Sequence, residues 1–147
     1  MSVNLSQAEA DALIAVAKRP ADDEERRFPL PGDRLVIPPV SIDKREDFLL
    51  DITRSQINVA KITHQNRARQ VVVLLRLDID GAPHRNPDGQ MVPCPHLHIY
   101  RENYGDKWAH PLPDGKFQNL SDVFRTFEDF MTACNVIEPP RMQTGLF

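Results

Sequence analysis

The chain has 147 residues, of which 41% are hydrophobic and 27% charged, and its formal net charge is −3. This length suits one core, so we expect residues 1–147 to form a single domain. The small net charge excludes an overall bias toward nucleic acid, and the two cysteines are too few for a disulfide framework. No stretch predicts a signal peptide or a membrane span, so we expect a cytoplasmic protein without a membrane partner.

The first predicted element is a helix in the stretch SQAEADALIAVAKRP, residues 6–20. Ser6 and Glu9 have the spacing of a capping box, in which each side chain accepts from a backbone N–H at the helix start. Hydrophobic residues then recur at helical spacing until Pro20, which ends the predicted helix. Residues 21–34 are polar and contain prolines and a glycine, which predicts a connecting loop.

Five predicted strands follow. RLVIPPVSI contains two prolines, which favours an edge strand. DFLLDITR and INVAKITH alternate in hydrophobicity and are separated by Ser55 and Gln56, which predicts a tight hairpin. VVVLLRLDID, residues 71–80, is the most apolar run and is predicted to be the central strand. HLHIY, residues 96–100, is the last predicted strand.

The last predicted element is a helix in SDVFRTFEDFMTACN, residues 121–135. Its apolar residues form a stripe typical of a helix that packs on a sheet. We therefore expect an α+β fold with an N-terminal helix, a four- to five-stranded, mostly antiparallel sheet, and a C-terminal helix on one face.

The strand HLHIY also carries the candidate site. Because strand side chains alternate between faces, His96, His98 and Tyr100 share one face, while Leu97 and Ile99 take the other. The aliphatic pair suits the face packed by the helices, so we expect the histidines on an open face. Four of the five histidines lie between residues 84 and 110. This density marks the region as a candidate site.

Antiparallel pairing of this strand with the central strand would add Arg76 and Asp78 to the same face. Metal-free RNA cleavage needs a general base, a general acid and a cation for the phosphate. We assign His96 and His98 to the proton transfers, and Arg76 to the phosphate. No cofactor is required by this hypothesis, and RNA is the expected partner.

The residues around this centre are candidates for RNA binding. Aromatic rings can stack on unpaired bases, and the segment from Arg54 to Arg76 holds five basic residues and no acidic one. The candidate binding residues are His84, Arg85, Tyr100, Tyr104, Trp108, His110, Arg67 and Arg69.

Other interpretations of the same residues stay open. Imidazoles two apart on a strand can ligate a metal, with Asp78, Asp80, His84 or Cys94 completing the site of a metal-dependent hydrolase. Tyrosine, tryptophan and arginine are also typical of protein interfaces. The chain would then be a non-catalytic binding module, such as a phage or mobile-element inhibitor of a host enzyme. Histidines on a half-exposed strand can also be purely structural.

The stretch DIDGAPHRNPDG…PCPHLHIYRENYGDKWAHPLP resembles an uncharacterised bacterial domain family, over the chain from the first helix to the C-terminal LF. No activity is implied by it. The shorter APHRNPDG…PHLH is similar to TumE-like toxins of toxin–antitoxin modules, where a proline–histidine turn precedes a second histidine cluster. This similarity implies a small RNA-targeting toxin with a helix-plus-twisted-sheet ribonuclease fold, neutralised by a cognate antitoxin. Such toxins are often basic, whereas this chain is slightly acidic.

Overall fold

The computed structural model describes residues 4–58 and 60–143. These residues form two helices and twelve strands, many of them short. In chain order they are α1 Gln7–Ala15, β1 Lys18–Pro20, β2 Glu25–Arg26, β3 Arg34–Ile37, β4 Pro39–Ser41, β5 Phe48–Arg54, β6 Ile62–Ala68, β7 Val72–Asp78, β8 His84–Arg85, β9 Met91–Val92, β10 His96–Ile99, β11 Ala109–Pro111, α2 Val123–Ala133 and β12 Arg141–Met142. In the described part of the chain, neither helix combines the length and the apolar character that a membrane crossing needs.

Six strands form the main sheet, in the order β11-β10-β7-β6-β5-β3, and every neighbouring pair is antiparallel. The predicted α+β class is confirmed. The sheet has one strand more than expected, because the short β11 pairs with β10 after a turn. β7 lies inside the sheet and β3 lies at its edge, as their composition predicted. The other pairs are β1-β4, β2-β12 and β8-β9.

Helix α1 starts as predicted and ends earlier. Ser6 Oγ accepts from the Glu9 N–H, and Glu9 Oε1 accepts from the Ser6 N–H, which completes the capping box. The helix stops at Ala15, and β1 then pairs with β4. A residue before proline favours extended backbone, so the approach to Pro20 suits a strand better than a helix. The predicted loop also contains β2, which pairs in parallel with β12.

The predicted tight hairpin between β5 and β6 is wrong. β6 begins at Ile62, and the first half of the predicted strand INVAKITH belongs to a longer connection. Ile57 is 98% exposed, so it has no sheet face to pack against. Ser55 Oγ accepts from the Asn58 N–H at 3.2 Å, and such local side-chain bonds compete with strand pairing. Val59 lies outside the described residues.

Two hydrophobic clusters lie on opposite sides of the main sheet. On one side, α2 packs on the sheet, as predicted for the C-terminal helix, with Phe127 in one cluster with Leu75 and Leu97. On the other side, Leu74 and Tyr100 pack with residues of α1. The expectation that both helices share one face is therefore wrong. The part of the second face beyond the α1 cluster is polar, and it carries the candidate site.

A candidate active site centred on Asp78

Strand register aligns two rows of polar side chains across the main sheet. Residues directly opposite each other in antiparallel strands point to the same face. One row consists of Thr53, Thr63, Asp78 and His96, and the next consists of Asp51, Gln65, Arg76 and His98. The structure therefore brings together Arg76, Asp78 and the two strand histidines, as the alternation of side chains predicted.

One oxygen atom, Oδ2 of Asp78, is the centre of this cluster. It lies 3.1 Å from Nε2 of His96 and 3.1 Å from Nε2 of His98. Nε of Arg76 lies 3.4 Å from the same oxygen. The other oxygen, Oδ1, accepts from the Thr63 hydroxyl at 3.2 Å. Two imidazoles, a guanidinium and a hydroxyl thus converge on one carboxylate.

The second nitrogen of each ring faces a backbone carbonyl. Nδ1 of His98 lies 2.7 Å from the Asp106 carbonyl oxygen, and Nδ1 of His96 lies 3.1 Å from that of Val92. A carbonyl only accepts, so each Nδ1 carries a proton and a neutral ring presents a lone pair at Nε2. Nη2 of Arg76, which only donates, lies 3.0 Å from Nε2 of His98. Nε2 of His98 thus lies between a donor, Nη2 of Arg76, and an acceptor, Oδ2 of Asp78.

Arg76 links the buried carboxylate to a second one at the surface. Its Nη1 donates to Oδ2 of Asp106 at 2.7 Å. Burial by itself raises the pKa of Asp78, but the hydrogen bond from His98 and the charge of Arg76 outweigh it. The pKa of Asp78 therefore lies well below its usual range. The carboxylate is ionised at neutral pH and is a weak general base.

The two strand histidines are buried, which corrects the expected open face. His96 is 2% exposed and His98 is 1% exposed. The ring of His84 lies against them, with centroids 4.6 Å from His98 and 6.1 Å from His96, and its Nε2 donates to the Lys107 carbonyl at 2.7 Å. The pattern of one strand cannot reveal this cover, because it comes from β8 and from the turn after β10.

Solvent reaches the cluster through a groove on the Asp78 side. Asp78 and Arg76 form part of its lining, and Lys61 contributes a second cation. The remaining lining residues are Thr53, Thr63, Asp80, Gly81, Ala82 and Cys94. A ligand in this groove would therefore meet the carboxylate and the guanidinium before it met either ring.

Of the predicted binding residues, only His84 adjoins this cluster. The hydroxyl of Tyr100 accepts from the Leu5 N–H at 2.7 Å, so this tyrosine anchors the start of α1 within the second hydrophobic cluster. His110 pairs with Leu97, so its side chain points to the α2 side of the sheet. Arg85 is exposed and follows His84 in β8, where neighbouring side chains point in opposite directions.

The predicted aromatic residues Tyr104 and Trp108 contact other protein groups. The guanidinium of Arg101 lies 4.3 Å from the ring centre of Trp108. Tyr104 meets Trp108 edge to face, with centroids 5.8 Å apart. One face of the Trp108 ring is thus occupied, which reduces the area available for stacking on a base.

Two arginines of the basic segment are paired with carboxylates in the folded chain. Arg67 Nε lies 2.6 Å from Asp51 Oδ2. Arg69 lies 3.8 Å from Glu9 and 3.5 Å from Glu46. These carboxylates come from other parts of the sequence, so the absence of acidic residues within the segment did not predict the local charge. These ion pairs reduce the positive charge that Arg67 and Arg69 present to a polyanion.

A model of a family of unknown function (DUF6978) matches residues 5–136. The chain belongs to this family. A search of curated proteins and a search of solved structures each gave no match. Membership confirms the expected uncharacterised domain family and adds no activity. The matched range contains every residue of the Asp78 cluster, so the cluster is part of the domain that defines this family.

Asp106 is a residue of the candidate site that sequence reasoning missed. It supplies a carboxylate to Arg76 and a carbonyl to His98. A turn signal precedes it, because Asn103 and Gly105 both have positive φ, at 71° and 61°. A hairpin prediction at this turn would have brought Asp106 back toward the strand that carries His98.

Proposed function

We propose that the chain is a toxin-like ribonuclease of a bacterial toxin–antitoxin or defence module. The observation that carries this proposal is the convergence of His96, His98 and Arg76 on Asp78 beside a solvent groove. The similarity of APHRNPDG…PHLH to TumE-like toxins supports RNA as the substrate, the cytoplasm as the location, and a cognate antitoxin as a partner.

Arg76 is the proposed phosphate ligand. It lines the groove, and its planar fork can donate two hydrogen bonds to one phosphate. Its guanidinium is already engaged by Asp106 and Asp78, so an incoming phosphate would replace one of these carboxylates. Lys61 lines the same groove and supplies a second positive charge for the substrate.

The proposed roles of His96 and His98 differ from those assigned from the sequence. A general base or acid must reach the ribose hydroxyl or the leaving oxygen, directly or through one water. Both nitrogens of each ring already have partners inside the protein, and both rings are buried. This arrangement favours a role in which the two histidines hold and orient Asp78. It disfavours direct proton transfer from either ring to the substrate.

Expression in bacteria tests the proposal. We expect the wild-type chain to slow growth and fragment cellular RNA, and His98→Ala to relieve both effects. Asp51→Asn is the matched control, because Asp51 lies on the same sheet face and accepts hydrogen bonds from Arg34, Gln65 and Arg67. Normal growth with intact RNA in cells that accumulate the folded wild-type protein would overturn the proposal.

A second function is a non-catalytic protein-binding module, such as a phage or mobile-element inhibitor of a host enzyme. The observation that favours it is the stack of Arg101 and Tyr104 on Trp108, since these residue types are common at interface hot spots. Pull-down should then recover one stoichiometric host protein. Trp108→Ala should lose that protein while His98→Ala keeps it, and the reverse pattern would count against this function.

A further inference from the structure

We infer that Asp78, His96 and His98 bind one divalent transition-metal ion, for which Zn²⁺ is the reference case. Metal binding at these three residues does not depend on RNA being the substrate. Imidazole and carboxylate ligands together suit zinc, manganese, iron and nickel, whereas magnesium and calcium prefer all-oxygen sites. Two histidines with one carboxylate is also a donor set found in catalytic metal sites.

The spacing of the three donor atoms fits a common ion. Oδ2 of Asp78 lies 3.1 Å from Nε2 of each histidine, and the three atoms all lie within 4.8 Å of one another. Ligands bound to zinc at about 2.0–2.2 Å in a tetrahedral site are separated by about 3.3 Å. Small movements of these side chains would therefore place all three donors on one ion.

The neutral form of both rings, which is the form that binds a metal, leaves these atoms in need of a positive charge. With each Nδ1–H on a carbonyl oxygen, the lone pairs of both Nε2 atoms then face an ionised carboxylate oxygen. Such an arrangement is repulsive unless a cation lies among the three acceptors. Arg76 contacts Nε2 of His98 and Oδ2 of Asp78, whereas Nε2 of His96 faces the same carboxylate and the Cys94 sulfur at 3.9 Å. The guanidinium thus meets only part of the need.

The surroundings hold both rings in a ligating orientation. Histidines that bind metals commonly donate their other ring N–H to a backbone carbonyl, which sets the tautomer and the ring plane. His98 does so with Asp106, and His96 with Val92. Since both rings are already buried and oriented, little side-chain entropy remains to be lost when an ion binds.

The open coordination position would face the groove. The rings approach Asp78 from inside the protein, and Asp78 also reaches the groove that Lys61 and Arg76 line. Three protein ligands leave room for a water or a substrate oxygen, and a bound metal lowers the pKa of such a water. An ion here would supply the nucleophile activation that the buried histidines cannot provide directly.

Calorimetric titration of tag-free, full-length protein, first stripped with a chelator, tests the site. We expect one equivalent of Zn²⁺ to bind and Mg²⁺ to give no comparable signal. Asp78→Asn and His98→Ala should each weaken zinc binding by at least about a hundredfold. Asp51→Asn and Cys94→Ser should bind zinc as the wild type does. Circular dichroism of each variant shows whether it is folded.

The Co²⁺ complex of the wild type gives an independent readout if a variant fails to fold. Its visible spectrum should indicate nitrogen and oxygen ligands, without a sulfur-to-cobalt charge-transfer band. No Zn²⁺ binding by the wild type, undiminished binding by folded His98→Ala, or sulfur ligation of Co²⁺ would each overturn the metal site.

The failure of the metal site and the failure of the ribonuclease are distinguishable. RNA cleavage that persists in stripped protein unable to bind zinc would overturn the metal site alone. One equivalent of zinc bound by a protein that leaves RNA intact would overturn the ribonuclease alone.

Discussion

Two carboxylates on the same face of the sheet, Asp51 and Asp78, differ in what surrounds them. Asp51 accepts from Arg34 at 2.7 Å, from Gln65 at 2.9 Å and from Arg67 at 2.6 Å. Its side chain is 3% exposed. Burial raises the pKa of Asp51, but its bonds to these donors outweigh burial and lower it overall.

Asp78 is 20% exposed and lies beside a groove. Its pKa is also lowered, yet two of its nearest neighbours are ring nitrogens that can themselves accept. The donors around Asp51 balance its negative charge, so the Asp51 cluster is a structural ion-pair network. The Asp78 carboxylate lies between two imidazoles beside an open groove, so we propose the Asp78 cluster as the place for chemistry.

Replacing each carboxylate by an amide should give the largest difference between the two clusters, measured as the change in the free energy of unfolding. Asp51→Asn should reduce the free energy of unfolding by about 3 kcal/mol, because it leaves the charge of the largely buried Arg67 without a carboxylate. Asp78→Asn should reduce it less, because the amide can donate to a ring nitrogen of His96 or His98. Urea unfolding of stripped protein measures both. A larger loss for Asp78→Asn would contradict the comparison.

The pH dependence of stability distinguishes these two carboxylates from a third buried group, His64. Burial lowers the pKa of His64 to about 4, from the ordinary 6.5. Between these values the unfolded chain takes up a proton and the folded chain does not, so stability falls as the pH falls from 6.5 to 4. The loss should reach about 3 kcal/mol over this window.

His64→Phe is the matched variant, because His64 already packs on Phe130 with ring centroids 5.5 Å apart. It should remove most of the slope above pH 4 and keep the fall below it, where Asp51 and Asp78 take up protons in the unfolded chain before they do in the folded chain. Denaturation at a series of pH values checks this. An unchanged slope between pH 6.5 and 4 in the variant would show that another group titrates there.

Arg76→Gln tests how the positive charge beside Asp78 affects metal binding. The guanidinium lies against Asp78 and His98. Its positive charge would therefore repel a metal ion bound to these two side chains. Its removal should strengthen zinc binding by about tenfold, through relief of like-charge repulsion. Arg34→Gln, which removes a guanidinium from Asp51, is the control and should leave zinc affinity unchanged. Weaker binding by folded Arg76→Gln would indicate that Arg76 supports the site.

The smallest expected effect is that of Arg34→Gln on stability. Arg34 is about half exposed, and without it Asp51 keeps its bonds to Arg67 and Gln65. We expect a loss below about 1 kcal/mol, as for other solvent-exposed ion pairs. Urea unfolding measures it. A loss as large as that of Asp51→Asn would show that the network depends on its outer member.

Much of the sheet was predictable, because strand signals are local. Alternation in HLHIY and in VVVLLRLDID placed His96, His98, Arg76 and Asp78 on one face, and the register agrees. The capping box at Ser6 was also predictable, since it needs only residues three apart. The start of β6 was not, because local bonds in the preceding turn replaced the expected pairing.

The amino-acid sequence by itself determined the α+β class and which side chains share a face of each strand, because side-chain alternation and capping depend on near neighbours. Only the tertiary structure decided that the two rings are buried, that Arg67 and Arg69 are paired, and that Asp106 completes the site. Burial and charge pairing depend on segments far apart in the chain. No local pattern encodes which carbonyl or carboxylate will face a given imidazole.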